Sequence, residues 1–280
     1  MKFHYFHVGS SVADALSSFY DFATSAEVND ILRADIPNLR FVMDGSLTVD
    51  LSGETETFAA GSVIVCGPTF HACNITLAAG TRIFGMSVLP LGWARLFPDG
   101  RDVLTNRFCQ GQDWLCDEAM DSARSLMGSK DVRERMEAVT RLVIAQRNDD
   151  ARVNADFLAA ADDWLKAPGE FDVENLVERT GLSHRQVERL CKSYFGAGPK
   201  KLFRKFRALY AANQMMWQGV SDWRKVAAST YYDQAHFIRE FKAFNGQTPR
   251  EFLSEGPTLA RLILGERQLT GHPNTFTVIS

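Results

Sequence analysis

The chain has 280 residues, of which 45% are hydrophobic and 23% charged, the composition of a globular protein with room for more than one core. No stretch approaches the roughly 20 apolar residues that cross a bilayer, and the opening residues lack a charged leader followed by an apolar run, so the expected location is cytoplasmic, with no membrane partner. The net charge of −3 is unevenly spread: residues 170–254 hold 14 Lys/Arg against 9 Asp/Glu, and the remainder holds 17 against 25. A basic segment on an otherwise acidic chain suits attraction to phosphates.

The five cysteines, Cys66, Cys73, Cys109, Cys116 and Cys191, form no CxxC pair of the kind that holds zinc or does redox work. The first third reads as β-rich after an opening segment, 12–22, expected as one short helix. Strand-like runs at 39–43 and 46–51 flank Asp44-Gly45, which favours a tight hairpin because Gly accepts positive φ. Further short runs at 62–66, 73–77 and 81–89, separated by Gly, Pro and Asn, suit a small barrel or sandwich.

From about residue 114 to 166 the periodicity becomes helical. Val132, Met136, Val139, Val143 and Gln146 form one stripe, and Phe157, Ala161, Trp164 and Leu165 another. These helices either pair with a second subunit or pack on their own domains; a homodimer is expected through them or through the β-rich domain. Ala167-Pro168-Gly169 then interrupts the pattern. The expected divisions are a β-rich domain over 1–108, a helical connector over 109–167, a helical domain over 168–254 and a C-terminal tail over 255–280.

The helical domain resembles itself at a shift of 50 residues: Asp172 aligns with Asp222, Leu176 with Val226, Arg189 with Arg239, Lys192 with Lys242, Gly196 with Gly246 and Pro199 with Pro249. One supersecondary unit used twice explains the match. In the first copy Thr180-Gly181-Leu182-Ser183 breaks the chain, and Ser183 with Gln186 makes a capping box for a second helix. On that helix Val187, Leu190, Cys191, Tyr194 and Phe195 line one face while Arg185, Arg189 and Lys192 project nearly opposite. In the second copy Asp233 caps, Phe237, Phe241 and Phe244 face inward, and Ala235, Arg239 and Lys242 face outward, with Gln234 and His236 on the flanks. A short helix presenting Arg, Gln and Lys fits the major groove, where Arg bonds guanine bidentately and Gln adenine.

Residues 231–249 resemble the second helix-turn-helix signature of AraC/XylS-type transcription regulators, and 181–199 the first. The resemblance covers about 171–253 and implies a helical connector near 202–216 between two reading helices. It places recognition positions at Arg185, Glu188 and Arg189 in the first unit and at Gln234, Ala235, His236 and Arg239 in the second, with Lys192 and Lys242 beside them. Thr230 stands where the family usually has a turn glycine, and Glu188, an acid on a reading face, is expected to pair with Arg185 or Lys192. Residues 58–71 resemble the turn-strand-turn segment of cupin-like sensor barrels that precede such domains.

The implied fold class is α+β: a small cupin-like β-barrel, a helical connector and an all-α domain with two helix-turn-helix units. The implied partners are double-stranded DNA, a small-molecule effector, and RNA polymerase if the protein activates. Phe41, Met43, Phe70, His71, Phe84 and Met86 are the candidate lining of an effector cavity. A metal-dependent cupin enzyme with an accessory helical domain is the alternative. Such enzymes hold metal through an HxH pair, and His71 has no histidine two residues away, while His4 and His7 have helical spacing, so neither a metal nor another cofactor is expected.

Overall fold

The computed structural model describes residues 1–99, 101, 103–166, 172–220, 222–231, 233–254 and 258–270. Nine strands open the chain: β1 (Lys2–Phe6), β2 (Leu16–Ala23), β3 (Val28–Leu32), β4 (Asn38–Asp44), β5 (Ser46–Leu51), β6 (Glu54–Ala59), β7 (Val63–Cys66), β8 (Cys73–Leu77) and β9 (Arg82–Val88). Helix α1 (Pro90–Leu96) and strand β10 (Phe108–Gln110) follow, then α2 (Asp117–Gly128), α3 (Val132–Gln146) and α4 (Ala155–Lys166). The helical remainder is α5 (Val173–Thr180), α6 (His184–Phe195), α7 (Pro199–Trp217), α8 (Trp223–Thr230), α9 (Gln234–Asn245), α10 (Pro249–Ser254) and α11 (Leu259–Thr270). The fold is α+β, and no described helix is long and apolar enough to cross a membrane.

The strands form two antiparallel sheets, ordered β1-β2-β9-β4-β7-β10 and β3-β8-β5-β6, which face each other as a small open barrel. The larger sheet is buried on both sides. Tyr20, Phe22, Val42, Ile64 and Ile83 point at the smaller sheet, whose Leu47, Val49, Phe58, Ile75 and Leu77 complete that core. Phe19, Leu39, Phe41, Val65, Phe84 and Met86 point the other way, onto α2 and α3. Strands buried on both faces lose the apolar/polar alternation that identifies a strand. That is why the segment 12–22, expected as a helix, is one 3₁₀ turn, Ser10–Val12, followed by β2.

The expected hairpin at Asp44-Gly45 does not form either. β4 pairs with β9 and β7, and β5 with β8 and β6, so the turn carries the chain from one sheet to the other. Gly45 has φ 72° and lies against Thr81, where a Cβ would collide. The tight hairpin is β5–β6, turned at Ser52-Gly53 with φ 60° and 88°.

The α3 stripe serves this layer. Val139 and Val143 are buried with Val132 and Met136 packed beside them, and Gln146 Nε2 donates to the carbonyls of Leu96 (3.0 Å) and Trp114 (3.2 Å). Every member of the stripe therefore has its partner within the chain. The second stripe, Phe157, Ala161, Trp164 and Leu165 on α4, packs into the core of α5 and α6. The Ala167-Pro168-Gly169 break lies outside the described residues.

The β-domain and the helical domain are joined by polar contacts centred on the segment after β3. Ala34 N donates to Phe244 O (2.8 Å) and Ala72 N to Ala243 O (3.1 Å), both at the end of α9. Arg33 Nη1 donates to Asn213 Oδ1 (3.1 Å) and Lys205 Nζ to Asp35 O (2.5 Å), both from α7. Gly246, with φ 80°, lets the chain pass Ile31 and Ala72, where a side chain would clash. The stretch expected as a tail contains α11, which packs on β1, β3 and α7.

Lys205 is 1% exposed, with its ammonium 4.6 Å from the Phe70 ring centroid. Burial pushes its pKa down to about 7, only partly offset by Asp35. Unfolded lysine titrates near 10.4, so from about pH 7 to about 10 the unfolded chain binds the extra proton and this group makes stability rise with pH. Lys205→Met removes that dependence. Urea unfolding at pH 7 and pH 9 should show wild type gaining about 1–3 kcal/mol relative to the variant over that interval.

Candidate nucleic-acid interface

Each helix-turn-helix unit is set by its caps. Asp172 accepts from Glu174 N at the start of α5, and Gly181, at φ 64°, ends it. Ser183 then opens α6 with the capping box the sequence indicates, its hydroxyl accepting from Gln186 N while Gln186 Oε1 accepts from Ser183 N. Asp222 caps α8 through Arg224 N, and Asp233 caps α9 through Ala235 N and His236 N. Among its described residues the second turn has no left-handed one. Tyr231, extended at φ −137°, keeps its N–H on Ala227 O (2.8 Å) and is buried edge-on against Phe237.

Burial then sorts the faces. In α6 Val187, Cys191, Tyr194 and Phe195 are buried while Arg185, Arg189 and Lys192 are exposed. Glu188 is half-buried, and its carboxylate accepts from Lys192 Nζ at 3.1 Å, which partly neutralises that lysine. In α9 Phe237, Phe241 and Phe244 are buried, and Gln234, Ala235, Arg239 and Lys242 are exposed. His236 is occupied differently from the other flank position: its Nε2 lies 3.0 Å from the Glu240 carboxylate. Seven of the nine expected contact residues are thus fully exposed, with Glu188 and His236 engaged by neighbouring side chains.

Glu240 is the residue the sequence reading passed over. Its side chain is 1% exposed and is held by Arg204 Nε and by Arg207 Nη2 at 2.6 Å, both from α7. Burial alone would raise its pKa, but the hydrogen bonds from Arg207 and Arg204 outweigh that and hold it below the ordinary carboxylate value. The signal was in the repeat: at a shift of 50, Glu240 stands where the first unit has the apolar-face Leu190. An acid on an inward stripe needs buried cations, and α7 supplies them. Asn245, aligned with Phe195, is the second such exchange; its Nδ2 donates to Ala208 O at 3.2 Å.

The fold brings four of the six candidate effector residues together and leaves Phe70 and His71 apart from them. Phe41, Met43, Phe84 and Met86 belong to the side of the larger sheet covered by α2 and α3. Phe70 packs in the core with α6 and α7, and His71 is exposed beside it. A cavity of about 60 Å³ lies on the other side of that sheet. Its apolar walls include Phe3, Phe22, Leu47, Ile75, Leu259 and Ile263, and Tyr20, Asn38, Arg40 and Ser87 form a polar end. Arg40 Nε donates to Tyr20 Oη (3.0 Å) and Ser87 Oγ to Asn38 Oδ1 (3.3 Å).

Residues 176–255 match a protein family described as a helix-turn-helix domain. No curated protein matches the chain. Among solved structures, ToxT from Vibrio cholerae aligns over 84% of this chain and 97% of its own at 10% identity, with a TM-score of 0.49. ToxT with a bound unsaturated fatty acid aligns over 84% and 93% at 12% identity, with a TM-score of 0.46. A cupin-2 domain containing protein from Shewanella frigidimarina aligns over 27% of this chain and 71% of its own at 19% identity, with a TM-score of 0.22.

Glu240→Gln should destabilise the protein by about 3–5 kcal/mol, because it leaves two guanidinium groups, one of them largely buried, without their counter-charge. With its pKa lowered on folding, the wild-type carboxylate contributes stability that is complete above the unfolded value near 4.3 and lost as pH falls through the folded value. The gap between variant and wild type in urea unfolding should therefore narrow as pH falls below about 4.

Proposed function

We propose that this chain, whose C-terminal part is a double helix-turn-helix domain of the AraC type, is a sequence-specific DNA-binding transcription regulator controlled by a small effector held between its β-sheets. One observation carries the reading. Both units present arginine on the exposed face of a capped second helix, Arg185 and Arg189 on α6 and Arg239 on α9, while the opposite face is locked in the core. A helix anchored on one side and cationic on the other is placed to enter a major groove and bond base edges. The 19-residue α7 links the units and spans about 28 Å, a length suited to neighbouring groove segments one helical turn apart.

Within this reading Arg189 and Arg239 contact bases, Lys242 meets phosphate, and Glu188 holds Lys192 rather than a cytosine. Two reading helices in one chain allow a monomer to span both segments, and the α3 stripe offers no support for a homodimer, since it is used internally. If the protein activates, RNA polymerase is its further partner. The effector is a compact, mainly apolar molecule with one hydrogen-bonding end, matching the chemistry of the cavity lining around Tyr20, Asn38 and Ser87. A thermal-shift screen of such molecules on the full chain tests the site independently of DNA, since a ligand of the native state raises Tm.

Selection of bound duplexes from a random pool should return two preferred segments roughly one helical turn apart. Arg189→Ala and Arg239→Ala should each cost roughly 1–3 kcal/mol on the preferred site and relax one base position, at different segments. Lys242→Ala should weaken all sequences alike and lower the salt slope by about 1, and Lys192→Ala should do less because Glu188 already offsets its charge. Relaxation of the same position by both arginine variants, or of none, rules out paired reading.

A further inference from the structure

The cavity between the sheets, at about 60 Å³, is smaller than it must be to admit an effector. An apolar cavity that takes up benzene measures about 150 Å³. One wall has to move. Apart from Asp35, most of the lining sits on strands of the two sheets, whose separation would open the whole apolar core between them. The exception is α11, which contributes Leu259, Ile263 and Arg267. Its polar ties to the β-domain include Leu259 N donating to Asp30 Oδ2 (2.6 Å) and Arg267 Nε donating to Tyr5 Oη (2.6 Å).

The adjacent face of the same helix belongs to the second helix-turn-helix unit. Ala260 and Leu264 share a core with Met215, Val226, Phe237 and Phe241. Trp217 Nε1 donates to Leu264 O (3.0 Å), and Arg261 Nη2 donates to the carbonyls of Phe252 (2.7 Å) and Leu253 (2.9 Å) at the end of α10. The core of the first unit, around Val187, Cys191 and Tyr194, contains no α11 residue among those described. An outward shift of α11 therefore acts first on the end of α7 around Met215 and Trp217, where α8 and α9 share its core, while the first unit packs nearer the start of α7, at Leu202, Phe206 and Leu209.

We infer that α11 is the movable wall of the cavity and the element that couples its occupancy to the second helix-turn-helix unit alone. A compact, mainly apolar molecule enters by displacing Leu259 and Ile263, and the displaced helix loosens the packing beneath α9 while α6 keeps its place. The effect of the effector is then to change reading at one of the two DNA segments. This rests on the cavity being the effector site, but the coupling is tested without ligand or DNA, so the two can fail separately.

Hydrogen exchange of the full chain provides the test. Tyr5→Phe combined with Asp30→Ala loosens α11 at its cavity end. Amides of α8 and α9 should then exchange about threefold faster or more, while those of α5 and α6 keep their wild-type rates. Coupling is reciprocal, so Leu264→Ala, made at the other face, should speed exchange in β1 and β3. The first unit is the internal reference against general unfolding. Faster exchange confined to α11, equal in both units, or absent overturns the proposal, as does a Leu264→Ala effect that stops at the second unit.

Discussion

The arrangement of the second reading helix depends on one buried carboxylate. Glu240 lies under α9 between Arg204 and Arg207, and this fixes how α9 sits on the connector α7. The repeat contains its own comparison, because the first unit holds α6 in place with apolar contacts that include Leu190 at the equivalent position. A buried ion pair gains little over a well-packed hydrophobic group, since desolvation costs about as much as the attraction returns. What the carboxylate adds is direction: two guanidinium groups a turn apart on α7 accept it in one geometry, and Arg207 also lies over the Tyr231 ring at 3.7 Å, tying in the turn before α9. Orientation of the second reading surface is thus set by charge, and that of the first by shape.

A second constraint is the double burial of the larger sheet. With helices on one side and the smaller sheet on the other, the buried apolar residues of β2, β4 and β9 are divided between two separate cores. The cavity opens on the side of Tyr20, Arg40 and Ser87, where Gly85 leaves room for the Tyr20 ring. Phe41, Met43, Phe84 and Met86 are large and apolar, as cavity walls often are, but they lie one residue out of phase with it.

The domains are not independent. The segment after β3 reaches the end of α9 through Ala34, reaches α7 through Arg33, and accepts the Lys205 ammonium on Asp35 O. α11 returns from the far end of the helical domain to cover the barrel. The second unit is therefore gripped from two directions by the β-domain, while the first meets it chiefly at α1 and just after it, where Arg101 donates to Ser193 and lies over Tyr194. This asymmetry is what gives two similar units different exposure to events in the sheets.

Much of the helical domain was legible from residue types alone. Capping acids and hydroxyls, the Gly181 turn, the apolar stripe of α6 and the exposed arginines are local features, determined by spacing along one helix, and the 50-residue repeat confirmed each copy with the other. The assignment of strands to sheets was not legible, because pairing is a choice among distant segments: Asp44-Gly45 has the local chemistry of a hairpin, yet its strands find better partners in β9 and β8. Nor was the side of a doubly buried strand, where residues of both parities are buried. Glu240 stood visibly out of place in the repeat, but only the fold brings Arg204 and Arg207 to it. Likewise nothing local in 259–270 announces a wall for a cavity formed some 230 residues earlier. Sequence by itself determined what each helix exposes; tertiary structure decided what each buried residue faces, because burial is a property of the partner as much as of the residue.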